Sequence, residues 1–207
     1  MTKGLSTLKR LRERAPGTEP DERCQLCAAL LTESHPHLVR RDTRALVCAC
    51  VPCSVLFGQK GAGGGKFRAV PRRYVHQPVQ IPLGDWEALQ IPVRIAFLFQ
   101  NSTLGKWVAF YPSRAGATES LLSLEAWRAI EARSTILAGM EPDVEALLVR
   151  GEPQGERLET FLVPIDACYE LTGRVRRLWR GFGGGDEARS ALAEFFAALR
   201  DRCEAPA

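Results

Sequence analysis

The sequence of 207 residues has no run of eighteen apolar residues. Its most apolar stretch, Ile91–Phe99, carries Arg94 and is too short to span a bilayer, so no membrane insertion is expected. The N-terminal MTKGLSTLKRLRERAPG lacks the apolar core of a secretion signal, which points to a cytoplasmic protein. Histidine is scarce, with three residues, and no spaced Ser/His/Asp set surrounds any of them. A phosphate loop is missing too. In GAGGGKF the position five before Gly65 is Lys60, and Phe67 replaces the magnesium-binding hydroxyl. There is no fixed-period repeat. With 45% hydrophobic and 25% charged residues, collagen-like and wholly disordered chains are excluded. A net charge of +4 permits an acidic partner without demanding one.

What the chain has in quantity is cysteine. Of its seven, Cys24, Cys27, Cys48, Cys50 and Cys53 crowd together, while Cys168 and Cys203 stand apart downstream. A disulfide framework needs an oxidising compartment, which the N-terminus argues against. An odd total with paired C-x-x-C spacing points instead to thiolates on a metal. Cys24-Gln-Leu-Cys27 and Cys50-Val-Pro-Cys53 allow two tight turns to present four sulfurs to one tetrahedral ion. Zinc in a structural role is the expected occupant. Iron in a rubredoxin-like electron carrier, or an iron–sulfur cluster, is the alternative for the same ligands. Such carriers usually place glycine after the second cysteine of each turn; this chain has Ala28 and Ser54 there.

Three segments are expected. Residues 1–23 read as a basic tail or short helix, with Leu5, Leu8 and Leu11 at helical spacing before Pro16, Gly17 and Pro20. Residues 24–76 read as a Cys-rich, zinc-ribbon-like module of three short strands and two C-x-x-C turns. Strands His37–Arg40 and Ala45–Cys48 flank a turn at Arg41–Arg44, and Lys66–Val70 supplies the third. With that turn centred between Asp42 and Thr43, His37 faces Cys48 and His35 faces Cys50. Period-two alternation then places these four groups on one face. Cys48, His35 and His37 are therefore surplus candidate ligands, replacing one of the four cysteines or holding a second ion or cluster.

Residues 77–207 read as an α+β domain. Leu83–Leu89 is a short helix containing Trp86, and Val93–Phe99 with Trp107–Tyr111 a hairpin. Ser123 caps a helix over Leu124–Leu137. Val144–Val149 and Leu158–Val163 form a second hairpin, turned around Gly151, Pro153 and Gly155. Helices Ala167–Trp179 and Ala188–Arg202 follow, parted by Gly181–Gly185. An antiparallel sheet covered on one face by helices accommodates all of these. Tyr111–Ser120 reads as the end of a strand and the turn and cap before the next helix.

Between Asp42 and Asp85 no acidic residue occurs, whereas Arg44, Lys60, Lys66, Arg68, Arg72 and Arg73 all do. With Phe67 and Tyr74 interleaved, a nucleic-acid-binding zinc ribbon is one alternative. The favoured reading is protein docking, through arginines such as Arg68 and Arg72 and the tryptophans Trp86, Trp107, Trp127 and Trp179. Nucleophile, base and cofactor loop are all wanting, so a non-enzymatic role is expected.

Taken together, RCQLC, HPHL, LVCACVPCSVLF, GAGGGKFRAVPRRY, VAFYPSRAGATES and FLVPIDACYEL resemble an uncharacterised bacterial family, a domain of unknown function, from about Arg23 to Arg202. Genes of that family tend to lie beside those of an oxygen-tolerant nickel–iron hydrogenase. The resemblance implies an accessory or assembly protein of such a system, with a hydrogenase subunit or maturation factor as partner.

Overall fold

The computed structural model describes residues 22–59, 61–151, 157–180 and 184–203. The expected N-terminal helix around Leu5–Leu11, together with Lys60, Pro153, Gly155 and Gly181–Gly183, lies outside them. The described chain is α+β, built on two antiparallel sheets.

The small sheet has strands β1 (His37–Arg40), β2 (Ala45–Cys48) and β3 (Phe67–Ala69), in the order β2-β1-β3. Its register pairs His37 with Cys48 and Arg40 with Ala45, as the turn at Asp42–Thr43 requires. Asp42 Oδ1 accepts the Thr43 N–H at 2.8 Å within that turn, and Arg44 takes a left-handed φ of 59°.

One element was not expected. After β2 the chain forms helix α1 (Val51–Gly58) instead of a second turn between strands. Cys50 has extended backbone at the N-cap and Pro52 sits in the first turn, where its fixed φ suits a helix and its missing N–H costs nothing. The glycine run becomes a short 3₁₀ turn at Ala62–Gly65, with Gly63, Gly64 and Gly65 all at positive φ. This is the left-handed backbone that glycine supplies without strain.

The large sheet holds β4 (Val75–His76), β5 (Ile95–Asn101), β6 (Lys106–Ser113), β7 (Gly116–Ser120), β8 (Glu145–Gly151) and β9 (Leu158–Pro164). The order is β4-β9-β8-β5-β6-β7, every pair antiparallel. Helices cover both faces, not one. Central strands β5 and β8 are apolar on both sides, so alternate residues feed two cores. Phe97, Phe99, Ala146 and Leu148 pack against α5 (Ile165–Leu178) and α6 (Gly185–Arg202). Ala96, Leu98, Leu147 and Val149 pack against α2 (Leu83–Ala88), α3 (Leu124–Glu131) and α4 (Thr135–Ala138).

Two further details depart from the sequence reading. The expected helix over Leu124–Leu137 is split, because Ser134 accepts the Leu137 N–H and starts α4 afresh. Gly116–Ser120 pairs with β6 as an edge strand, its turn closed by Ser113 Oγ against the Ala115 N–H and the Gly116 carbonyl.

Several contacts join the two sheets. Val39 of β1 enters the core under α5 and α6. Arg41 reaches Ser102 Oγ at 2.9 Å, Arg68 the Pro142 carbonyl at 3.3 Å, and Arg73 grips buried Glu145 through two bonds of 2.8 and 2.7 Å.

Candidate metal centre

The first C-x-x-C pair sits on a tight knuckle. The Cys24 N–H donates to the Ala29 carbonyl and the Ala28 N–H to the Cys24 carbonyl, both at 2.8 Å. Ala28 adopts φ 63°, the left-handed turn that a glycine would take more easily. The second pair is set by α1: Cys50 is its N-cap and Cys53 lies in its first turn, so both sulfurs stand at the positive end of a helix.

These two devices bring Cys24, Cys27, Cys50 and Cys53 together, with their four Sγ atoms within 4.8 Å of one another. Cys27 and Cys50 approach to 3.6 Å. Cys24 and Cys53 are buried and Cys27 is exposed, placing the cluster at the edge of the small apolar core of Leu38, Val47 and Ala49.

The donor set suits a thiophilic cation. Burial raises the Cys24 thiol, but backbone N–H groups of Cys50, Leu26 and Cys27 outweigh it and bring it down to about 6. Cys53 moves the other way, up to about 12, through burial and then its three neighbouring sulfurs. Four adjacent thiols cannot all ionise alone. A divalent ion among them removes that obstacle by binding the thiolates directly.

Cys48, His35 and His37 do not join the four cysteines. A ring nitrogen of each histidine and the Cys48 sulfur lie within 4.8 Å of one another, as a separate group. His37 lies opposite Cys48 as the register expected, whereas Cys50 turns into the first cluster and leaves His35 without it. His37 Nδ1 is 2.9 Å from Asp166 Oδ2, at the start of α5. Sequence reasoning missed Asp166. Its only local signal is a position in the first turn of an expected helix, 129 residues from its partner.

The proposed docking residues change character. Trp86, Trp107 and Trp127 are buried and serve the core, since indoles of that size fill the space between sheet and helices. Arg68 lies 3.9 Å from Asp143 and is tied to the large sheet. Exposed apolar side chains occur elsewhere: Val51, Val55 and Leu56 on α1, and Leu30 beside the knuckle, each 59–63% exposed.

Residues 23–203 match the profile of a family of unknown function, DUF5947. The chain belongs to that family. No curated protein and no solved structure matches it. The family assignment spans both sheets, so the cysteine cluster and the helix-covered sheet belong to one family unit.

Proposed function

We propose that this protein is a zinc-binding accessory factor that works by docking to a protein partner, its four-cysteine centre holding the docking face in shape. The observation that carries this reading is the convergence of Cys24, Cys27, Cys50 and Cys53, supported by backbone N–H groups, at the N-terminus of α1. The centre is closed: four thiolates fill a tetrahedral shell and leave no position for substrate. What it organises is α1, whose Val51, Val55 and Leu56 face solvent. Three large apolar residues exposed on eight residues of helix are what an interface core uses. The partner suggested by the family resemblance is a nickel–iron hydrogenase subunit or maturation factor.

The same four sulfurs also suit iron, the rubredoxin-like alternative. Exposed Cys27 and the N–H groups around Cys24 favour that reading, because a one-electron carrier needs an exposed edge and hydrogen-bonded sulfurs. The nucleic-acid alternative has less support, since Arg68 and Arg73 are engaged by Asp143 and Glu145.

Elemental analysis and the visible spectrum of protein purified without added metal separate zinc from iron: colourless protein with zinc supports the first reading, red or brown protein with iron the second. Docking is tested by affinity purification from cells that express the hydrogenase genes, with intact protein and with Val55→Glu/Leu56→Glu. Recovery of a hydrogenase-related protein by the intact chain and its loss in the variant supports docking. Recovery of salt-sensitive nucleic acid alone overturns it.

A further inference from the structure

The group of His35, His37 and Cys48 is prepared for an ion of its own. His35 Nδ1 lies 2.9 Å from the Thr32 carbonyl, which can only accept, so that nitrogen carries the proton. The exposed carboxylate of Glu22, 3.7 Å away, favours the same arrangement. The lone pair is thereby left on Nε2, which is buried and has no hydrogen-bond partner among the described residues. The side chain around it is only 7% exposed. A buried acceptor with nothing to accept from is destabilising unless something else satisfies it.

His37 repeats the pattern. Its Nδ1 faces the Asp166 carboxylate at 2.9 Å, so Nε2 again holds the lone pair. Asp166 is itself held in place, its Oδ1 accepting the Ala167 N–H at 2.8 Å in the first turn of α5. A carboxylate or carbonyl behind the far nitrogen of an imidazole is the arrangement that orients metal-binding histidines. The two rings sit edge to face at 4.9 Å, and the Cys48 sulfur completes the trio.

We infer that His35 Nε2, His37 Nε2 and Cys48 Sγ form a second, open metal site for a zinc-class divalent ion. Three protein ligands leave a tetrahedral ion one free position, the arrangement of reactive rather than purely structural zinc. Both histidines line a cleft of about 600 Å³ that also takes in Arg72, Tyr74, Glu170 and Arg202. Water or a small anion reaching the ion through that cleft fills the remaining position. The site uses no ligand of the four-cysteine centre and does not depend on the function proposed above.

Metal content read together with the ion's neighbours tests this. Full-length protein loaded with zinc and freed of loose metal is expected to hold two equivalents, with nitrogen as well as sulfur neighbours in its X-ray absorption spectrum. Cys48→Ala and His35→Ala/His37→Ala are expected to hold one equivalent with sulfur neighbours only. Asp166→Asn is expected to keep that sulfur-bound ion and to weaken the second 10- to 100-fold in a chelator competition. Loss of the second ion in Cys48→Ala, with one ion kept by Cys27→Ser, supports this site even if the four-cysteine centre fails. One equivalent in the wild type with sulfur neighbours alone, or two equivalents surviving in the double histidine variant, overturns it.

Discussion

The two sheets are stabilised by different means. The large sheet is filled on both faces by side chains such as Phe97, Leu98, Leu148 and Phe161, each at most 2% exposed. The small sheet encloses a core of Cys24, Leu38, Val47, Ala49 and Cys53, two of whose five members are candidate metal ligands. The first region has many large buried apolar side chains to hold it, whereas the second has few. On the function proposed above, a cation held by the four cysteines takes the place of the missing core and lets a region with little apolar material keep a fixed shape.

The largest test of that contrast is metal removal. Binding a structural zinc ion contributes about 10–16 kcal/mol in small peptides. Cys53→Ser is therefore expected to lose the ion and open residues 24–59 to protease, while the six-stranded sheet stays resistant. Limited proteolysis with mass spectrometry reads both regions at once. Equal resistance in both would show that the small sheet needs no ion.

Phe161→Ala addresses the other side of the comparison. Phe161 is fully buried between His76 and Phe196, with ring centres at 5.0 and 5.7 Å. Its truncation is expected to cost about 3–5 kcal/mol in denaturant unfolding with metal content unchanged. A loss of metal in this variant would mean that the two regions unfold as one.

The contacts between the regions rank next. Arg73→Ala leaves the Glu145 carboxylate, 2% exposed, with only the Glu141 N–H as a hydrogen-bond donor among the described residues. A loss of about 2 kcal/mol is expected from stripping a charge-assisted pair, measured by chemical denaturation. No change would show that Arg73 is dispensable to the joint.

The smallest effect belongs to Glu159. Burial raises this carboxyl, yet bonds from Arg200 and His76 bring it below its ordinary value of 4.5. A depressed folded-state value stabilises the fold above the unfolded value and is lost as pH falls through the folded one. Arg200→Ala is expected to cost at most about 1 kcal/mol near neutral pH, since the arginine is partly exposed, and to flatten the loss of stability below pH 4.5. Thermal unfolding between pH 3 and 7 measures it.

How much of this was legible in the sequence depends on how local the signal was. The hairpin register followed from one assumption about the turn, which was enough to set His37 against Cys48. The strands of the central hairpins showed themselves as short apolar runs. The segment VPCSVLFG concealed α1, because a short apolar run looks the same whether it is helix or strand. GATES concealed β7, an edge strand with no fully buried residue. The tryptophans were legible as large apolar groups but not as buried ones, since burial depends on which helix lands on which face. Asp166 was beyond reach for a similar reason: its bond to His37 exists only once α5 has docked beside β1.

The order in which the strands pair sets a timetable. Val75 of β4 pairs with Leu162 of β9, so the six-stranded sheet cannot close until most of the chain has left the ribosome. All four cysteines of the first cluster lie in residues 24–53 and emerge much earlier. At roughly 5–20 residues per second, an interval on the order of ten seconds separates the last of these cysteines from β9. If the four cysteines bind an ion as proposed, it can therefore enter the small sheet before the six-stranded sheet has closed, and the ion is a participant in folding rather than an addition to the finished protein.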